Sequence, residues 1–140
     1  MPKRERDALA QVPLFSGLAP RHVKRLADLT EQQRYMEGSR VVREGDIGDT
    51  FYVILEGEAK VTNRAGRVVN RLRPGEFFGE ISLLDGGPRT ASVVAATPVL
   101  AIRLFKGSFD KVVTQEPKVA SKILAVVARR LRDAERTISS

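Results

Sequence analysis

The sequence predicts a mainly β domain, an antiparallel β-roll of jelly-roll type with helices before it and a long helix after it. Three observations carry this. Between residues 33 and 105 short apolar runs alternate with turn residues at the two-residue period of strands. Residues 1–32 and 106–140 place apolar side chains at helical spacing instead. A chain of 140 residues holds one domain and has no room for a second core of ordinary size.

In chain order, Leu9 and Val12 lie on one side of a polar first helix, which Pro13 and Gly17 end. Pro20 is placed to open a second helix, where its missing N–H costs nothing, and Val23, Leu26, Ala27 and Thr30 form that helix's buried stripe. Strands are expected over 41–42, 51–55, 59–62, 68–72, 92–95 and 99–104, separated by turns such as Glu44-Gly45-Asp46 and Pro74-Gly75. Many short strands at close spacing favour a closed antiparallel roll over a parallel sheet with crossover helices. Helices then return over 108–114 and from Pro117 to about Arg136. In the last of these, Ala120, Leu124, Val127, Leu131, Ala134 and Ile138 make a heptad-like seam, open to packing on the same roll or on a second copy of the chain.

Residues 78–93 interrupt the strand pattern with Phe78-Gly79-Glu80-Ile81, a helix-like turn, then Gly86-Gly87-Pro88-Arg89-Thr90-Ala91-Ser92-Val93. Gly79 lets a ligand approach the backbone closely. The turn's first N–H groups favour an anion. Glu80 is a carboxylate suited to accept from sugar hydroxyls, and Arg89 offers a planar donor fork that matches phosphate oxygens. These residues describe a site for a sugar joined to a singly charged phosphate.

The segment resembles the phosphate-binding cassette of the cyclic-nucleotide-binding domain family. The resemblance extends upstream through residues 13–18 and 45–54 and through Gly57 and Val61, so it covers nearly the whole chain. It implies that Glu80 and the Gly79 amide, with Ile81 beside them, hold the ribose 2′-hydroxyl. It also implies that Arg89 and the backbone of Thr90 and Ala91 hold the cyclic phosphate. The competing reading is a plain ion pair between Arg89 and Glu80. The implied ligand is cAMP, with cGMP the alternative. A hydroxyl after the arginine favours guanine in some members, yet cAMP-responsive channels carry the same Arg-Thr-Ala-Ser-Val. In the family a residue of the final helix covers the purine, and counting from Arg89 without a gap places it at Arg130.

The resemblance implies a sensor that signals by repositioning its C-terminal helix, not an enzyme, and no cofactor or metal. Metal sites on such folds use several histidines, and His22, expected on an exposed helix face, is the only one; a cupin-like enzyme is the remote alternative. Cysteine is absent, which suits a reducing cytoplasm. No apolar run approaches the roughly 20 residues of a membrane helix, and the charged residues 1–7 do not open an export signal. The net charge of +7 favours anionic partners. No helix-turn-helix is legible, so specific duplex-DNA binding by this chain alone is not expected. The expected partners are the cyclic nucleotide, an effector protein or domain, and, through the last helix, a second copy. The alternatives for the larger role are the sensor of a cAMP-responsive transcription regulator, or of a channel, kinase or transferase.

Overall fold

The structure, a computed structural model, describes residues 2–139, with side chains described for residues 3–137. Helix α1 (Pro2–Ala10), a 3-10 turn (Pro13–Phe15) and α2 (Pro20–Ala27) lead into eight strands: β1 (Glu31–Tyr35), β2 (Arg40–Val42), β3 (Thr50–Glu56), β4 (Ala59–Thr62), β5 (Val68–Leu72), β6 (Phe77–Phe78), β7 (Ser92–Ala95) and β8 (Val99–Phe105). Helix α3 (Glu80–Asp85) lies between β6 and β7, and α4 (Lys106–Gln115) and α5 (Pro117–Ser139) follow β8. All pairings are antiparallel and build two four-stranded sheets, ordered β1-β8-β3-β6 and β2-β7-β4-β5.

The apolar runs of β3 and β8 follow from their central place, since both faces of each are covered. Phe51, Val53, Ile102 and Leu104 face the helices, in one core with Leu9, Val12, Phe15, Leu26, Phe109 and Val119. Ile54 and Ala101 face the other sheet, in a second core with Leu72, Val93 and Ala95. A strand covered on both faces reads as a continuous apolar run, while one covered on one face alternates. β1, at a sheet edge, reads Glu-Gln-Gln-Arg-Tyr and has no buried residue, so its sequence carries no strand pattern. The two-residue β6 is defined by pairing with Tyr52 and Val53 rather than by any period of its own.

Two expectations are corrected here. His22 is buried, only 4% exposed, with Nε2 3.5 Å from the Glu116 carboxylate. The short α2 buries a stripe that includes His22 together with Val23, Leu26 and Ala27. Helix α5 does pack on its own domain, but through Val119, Ile123 and Val126. That stripe runs one position away from the expected seam and leaves Leu124 and Leu131 exposed at 68% and 62%. The seam's last member, Ile138, lies outside the residues whose side chains are described. Among the described residues no helix is long and apolar enough to cross a membrane.

Candidate functional site

The cassette is held in place by its backbone. Gly79, at φ +87°, turns the chain from β6 into α3, and Gly86, at φ +70°, ends the helix with its amide on the Ser82 carbonyl. The following loop lies against residues 45–48. The Gly45 amide donates to the Arg89 carbonyl (2.9 Å), the Arg89 amide to the Asp46 carbonyl (2.8 Å), and the Gly48 amide to the Gly87 carbonyl (3.0 Å). The glycine-rich turn 45–48 and the cassette loop, 41 residues apart between Gly48 and Arg89, are therefore one structure.

That loop delivers Arg89 into the roll, where it is only 8% exposed. Its Nη2 donates to the Thr50 carbonyl at 2.8 Å, and its guanidinium carbon sits 5.8 Å from the centre of the Tyr52 ring. Nη1 is buried and makes no hydrogen bond. Gly79 is the reason this arrangement fits: a Cβ there would stand 2.6 Å from Arg89 Nη1 and 2.7 Å from the Thr50 carbonyl oxygen.

Glu80 opens α3 with its Oε1 accepting from Arg130 Nη1 at 2.6 Å. Its Oε2 is buried without a partner. Arg130 is 44% exposed at the side chain, and an ion pair that open to solvent contributes about 0–1 kcal/mol. The carboxylate thus pairs across 50 residues with α5 rather than with Arg89. Arg130 sits at the site through Glu80, not as a free cation.

Gly79, Glu80, Ile81, Arg89, Thr90 and Ala91 all line one cavity of about 200 Å³. Its apolar wall comes from Val42, Val61, Phe78 and Val93. Ile81 is 67% exposed and forms part of the mouth. Among the described residues the amides of Thr90 and Ala91 donate to no group, which leaves two N–H donors beside Arg89. A cationic fork, free backbone donors, a carboxylate with one unused oxygen and an apolar wall suit a small anion carrying a hydroxylated ring and a flat apolar part. Among the described residues no group of three or more His, Cys, Asp or Glu could hold a metal ion.

Three contributors have little or no sequence signal. The Thr50 carbonyl is a backbone atom. Tyr52 is one member of an apolar run. Lys106, at the start of α4, donates through Nζ to the Leu83 and Leu84 carbonyls (3.1 and 3.2 Å) and so ties the end of α3 to α4. Two-residue alternation along β3 puts Tyr52 on the Thr50 and Ile54 face, but says nothing of what it meets there.

The family model for the cyclic nucleotide-binding domain matches residues 32–116. The chain is 37% identical to the cyclic AMP receptor protein of Thermus thermophilus over 127 residues, covering 88% of this chain and 59% of that protein. It is 40% identical to the cAMP-dependent protein kinase regulatory subunit of Eremothecium gossypii over 105 residues, covering 75% of this chain and 23% of that one. It thus spans under two-thirds of either relative. Among solved structures, the N-terminal domain of a transcriptional regulator from Streptomyces coelicolor superposes with a TM-score of 0.83 at 36% identity, covering 91% of this chain and 94% of that one. The cAMP-bound structure of PfPKA-R superposes with a TM-score of 0.74 at 25% identity, covering 99% of this chain and 46% of that one. Sequence, sheet topology and cassette converge, and the chain belongs to the cyclic nucleotide-binding domain family.

Proposed function

We propose that this domain is a cAMP sensor that grips the cyclic phosphate with Arg89 and the amides of Thr90 and Ala91. In this reading Gly79, Glu80 and Ile81 hold the ribose side. One observation carries it: Arg89 Nη1 and Glu80 Oε2 are both buried without partners, on residues that line the same cavity. An unsatisfied buried polar group costs roughly 1–3 kcal/mol, and a charged one more. A ribose cyclic phosphate supplies an acceptor for the first and a hydroxyl donor for the second. The relatives named for cAMP favour adenine over guanine. The reading is of binding and signalling, without catalysis.

Calorimetry against cAMP, cGMP and 5′-AMP tests this. The expected result is micromolar or tighter binding of cAMP, weaker binding of cGMP, and much weaker binding of 5′-AMP. The cradle has one buried cation for phosphate, and the second charge of 5′-AMP finds no partner there. Equal affinity for cAMP and 5′-AMP, or no binding of either, rejects the reading.

Signalling passes through α5 in this proposal. Lys106 joins α3 to α4, α4 packs on α5, and Arg130 joins α5 to Glu80. A hydroxyl arriving at Glu80 therefore meets a carboxylate already tied to α5. Arg130→Ala is expected to weaken cAMP binding by roughly 2- to 30-fold, the size of one lost ion pair or cation–π contact. By reciprocity, cAMP protects residues 119–134 from hydrogen exchange in the parent and less so in the variant. Exchange there that ignores saturating cAMP rules α5 out as the moving part. The exposed Leu124 and Leu131, seven residues apart, support a second copy on α5 as a further partner. The helices at both ends share one core with β3 and β8, which supports residues 1–140 acting as one sensing unit.

A further inference from the structure

Arg89 has a neighbour that phosphate binding does not call upon. Tyr52 is 7% exposed, and its ring lies parallel to Phe78, with centroids 4.6 Å apart and 9° between the planes. The Arg89 guanidinium carbon stands over the Tyr52 ring at 5.8 Å. Phe78 precedes Gly79 directly, so the ring is clamped to the strand that enters the cassette. Tyr35 lies close enough to Tyr52 to feel it. Burial first, then the nearby Tyr52, pushes its hydroxyl up to about 12 against the opposing pull of Arg103. Arg103 is anchored in turn to Glu31 at 3.0 Å.

A guanidinium held by a single hydrogen bond retains a rotation about it. Arg89 makes one such bond, Nη2 to the Thr50 carbonyl, and its Nη1 has no hydrogen-bond partner among the described residues. The bare backbone of Gly79 gives Nη1 room without gripping it. The remaining restraint is the face of Tyr52, which attracts a cation most strongly where water is excluded.

We propose that Tyr52 is a positioning residue for the ligand site: its ring face, clamped by Phe78, sets the plane of the Arg89 guanidinium so that Nη1 is presented toward Gly79 and the cavity. Tyr52 does not line that cavity and acts only through Arg89. The inference rests on the reading of Arg89 as the phosphate anchor.

The test grades the ring face while keeping its shape, by cAMP calorimetry on the full chain carrying Tyr52→Phe and then singly to fully ring-fluorinated phenylalanines at position 52. Tyr52→Phe is expected to bind within about threefold of the parent, and affinity to fall stepwise to about tenfold weaker at full fluorination, as the ring face loses its attraction for a cation. The guanidinium protons of Arg89 should show a ring-current shift in the ligand-free parent and in Tyr52→Phe. They should lose it in Tyr52→Leu; if that variant does not fold, the fluorinated series decides alone. Affinity that is flat across the series, with Arg89→Ala crippled, overturns the role of Tyr52 only. Parent-like binding by Arg89→Ala overturns the site reading beneath it.

Discussion

Arg89→Ala is expected to weaken cAMP binding by about 30- to several-thousand-fold, because truncating one partner of a buried charged contact costs roughly 2–5 kcal/mol. The magnitude follows from burial. At 8% exposure Arg89 is largely withdrawn from bulk water, so its attraction for phosphate is little screened. The ligand-free protein should lose much less, since the direct protein contacts removed are one bond to the Thr50 carbonyl and the approach to Tyr52. A net hydrogen bond is worth about 1 kcal/mol, or roughly 2–4 °C in Tm at this size. Thermal melts separate the two effects. Ligand at 100 times the parent's Kd stabilises a binder by about 2.7 kcal/mol, and that gain should fall to about 0.9 kcal/mol or less in the variant while its ligand-free Tm stays near the parent's. Arg89→Lys keeps the charge but loses the fork, so it should fall between. Binding by Arg89→Ala within threefold of the parent would mean the phosphate sits elsewhere.

Gly79→Ala is the second large effect, and it should strike stability and binding together. The residue sits at φ +87°, where a side chain is strained in any surroundings. Its Cβ would also meet Arg89 Nη1 at 2.6 Å and the Thr50 carbonyl oxygen at 2.7 Å. The carbonyl belongs to Thr50 of β3, which is paired with Phe105 of β8, and it is backbone that cannot easily retreat. Backbone strain of about 1–3 kcal/mol plus overpacking of a similar size should lower Tm by roughly 5–20 °C. The guanidinium is the softer neighbour and moves, so affinity for cAMP should fall at least about tenfold, the equivalent of 1.4 kcal/mol. In the double variant with Arg89→Ala one of the two clashes is gone, so the stability losses should fall short of additive. A Gly79→Ala protein with parental Tm and affinity would show that neither the strain nor the close approach exists.

The two central strands were legible because burial on both faces writes itself into local sequence as an unbroken apolar run. β3, expected over 51–55, spans Thr50–Glu56, and β8, expected over 99–104, spans Val99–Phe105. Two of the edge strands have no such imprint, although β2 and β5, also at sheet edges, are expected over 41–42 and 68–72. β1 carries no apolar alternation and β6 has only two residues, so both exist through their partners. Helix α5 shows the same division. Its sequence contains two apolar stripes one position apart, through Val119, Ile123 and Val126 and through Ala120, Leu124, Val127 and Leu131. Helical periodicity favours neither. The surface presented by α4 and the 3-10 turn selects the first.

By itself, then, the sequence determined the roll and its flanking helices, the cassette, and the residue types a sugar phosphate requires. Each of these depends on neighbours in the chain: the period of a strand, a glycine at a turn, an arginine a few residues after a carboxylate. Only the tertiary structure decided how those residues are used. It gave Arg89 the Thr50 carbonyl 39 residues away and the ring of Tyr52, and paired Glu80 with Arg130 across 50 residues. It also put His22 inside and Leu124 outside. Such partners meet because two sheets and five helices close on shared cores, and contact over that separation follows from packing, which no local pattern records.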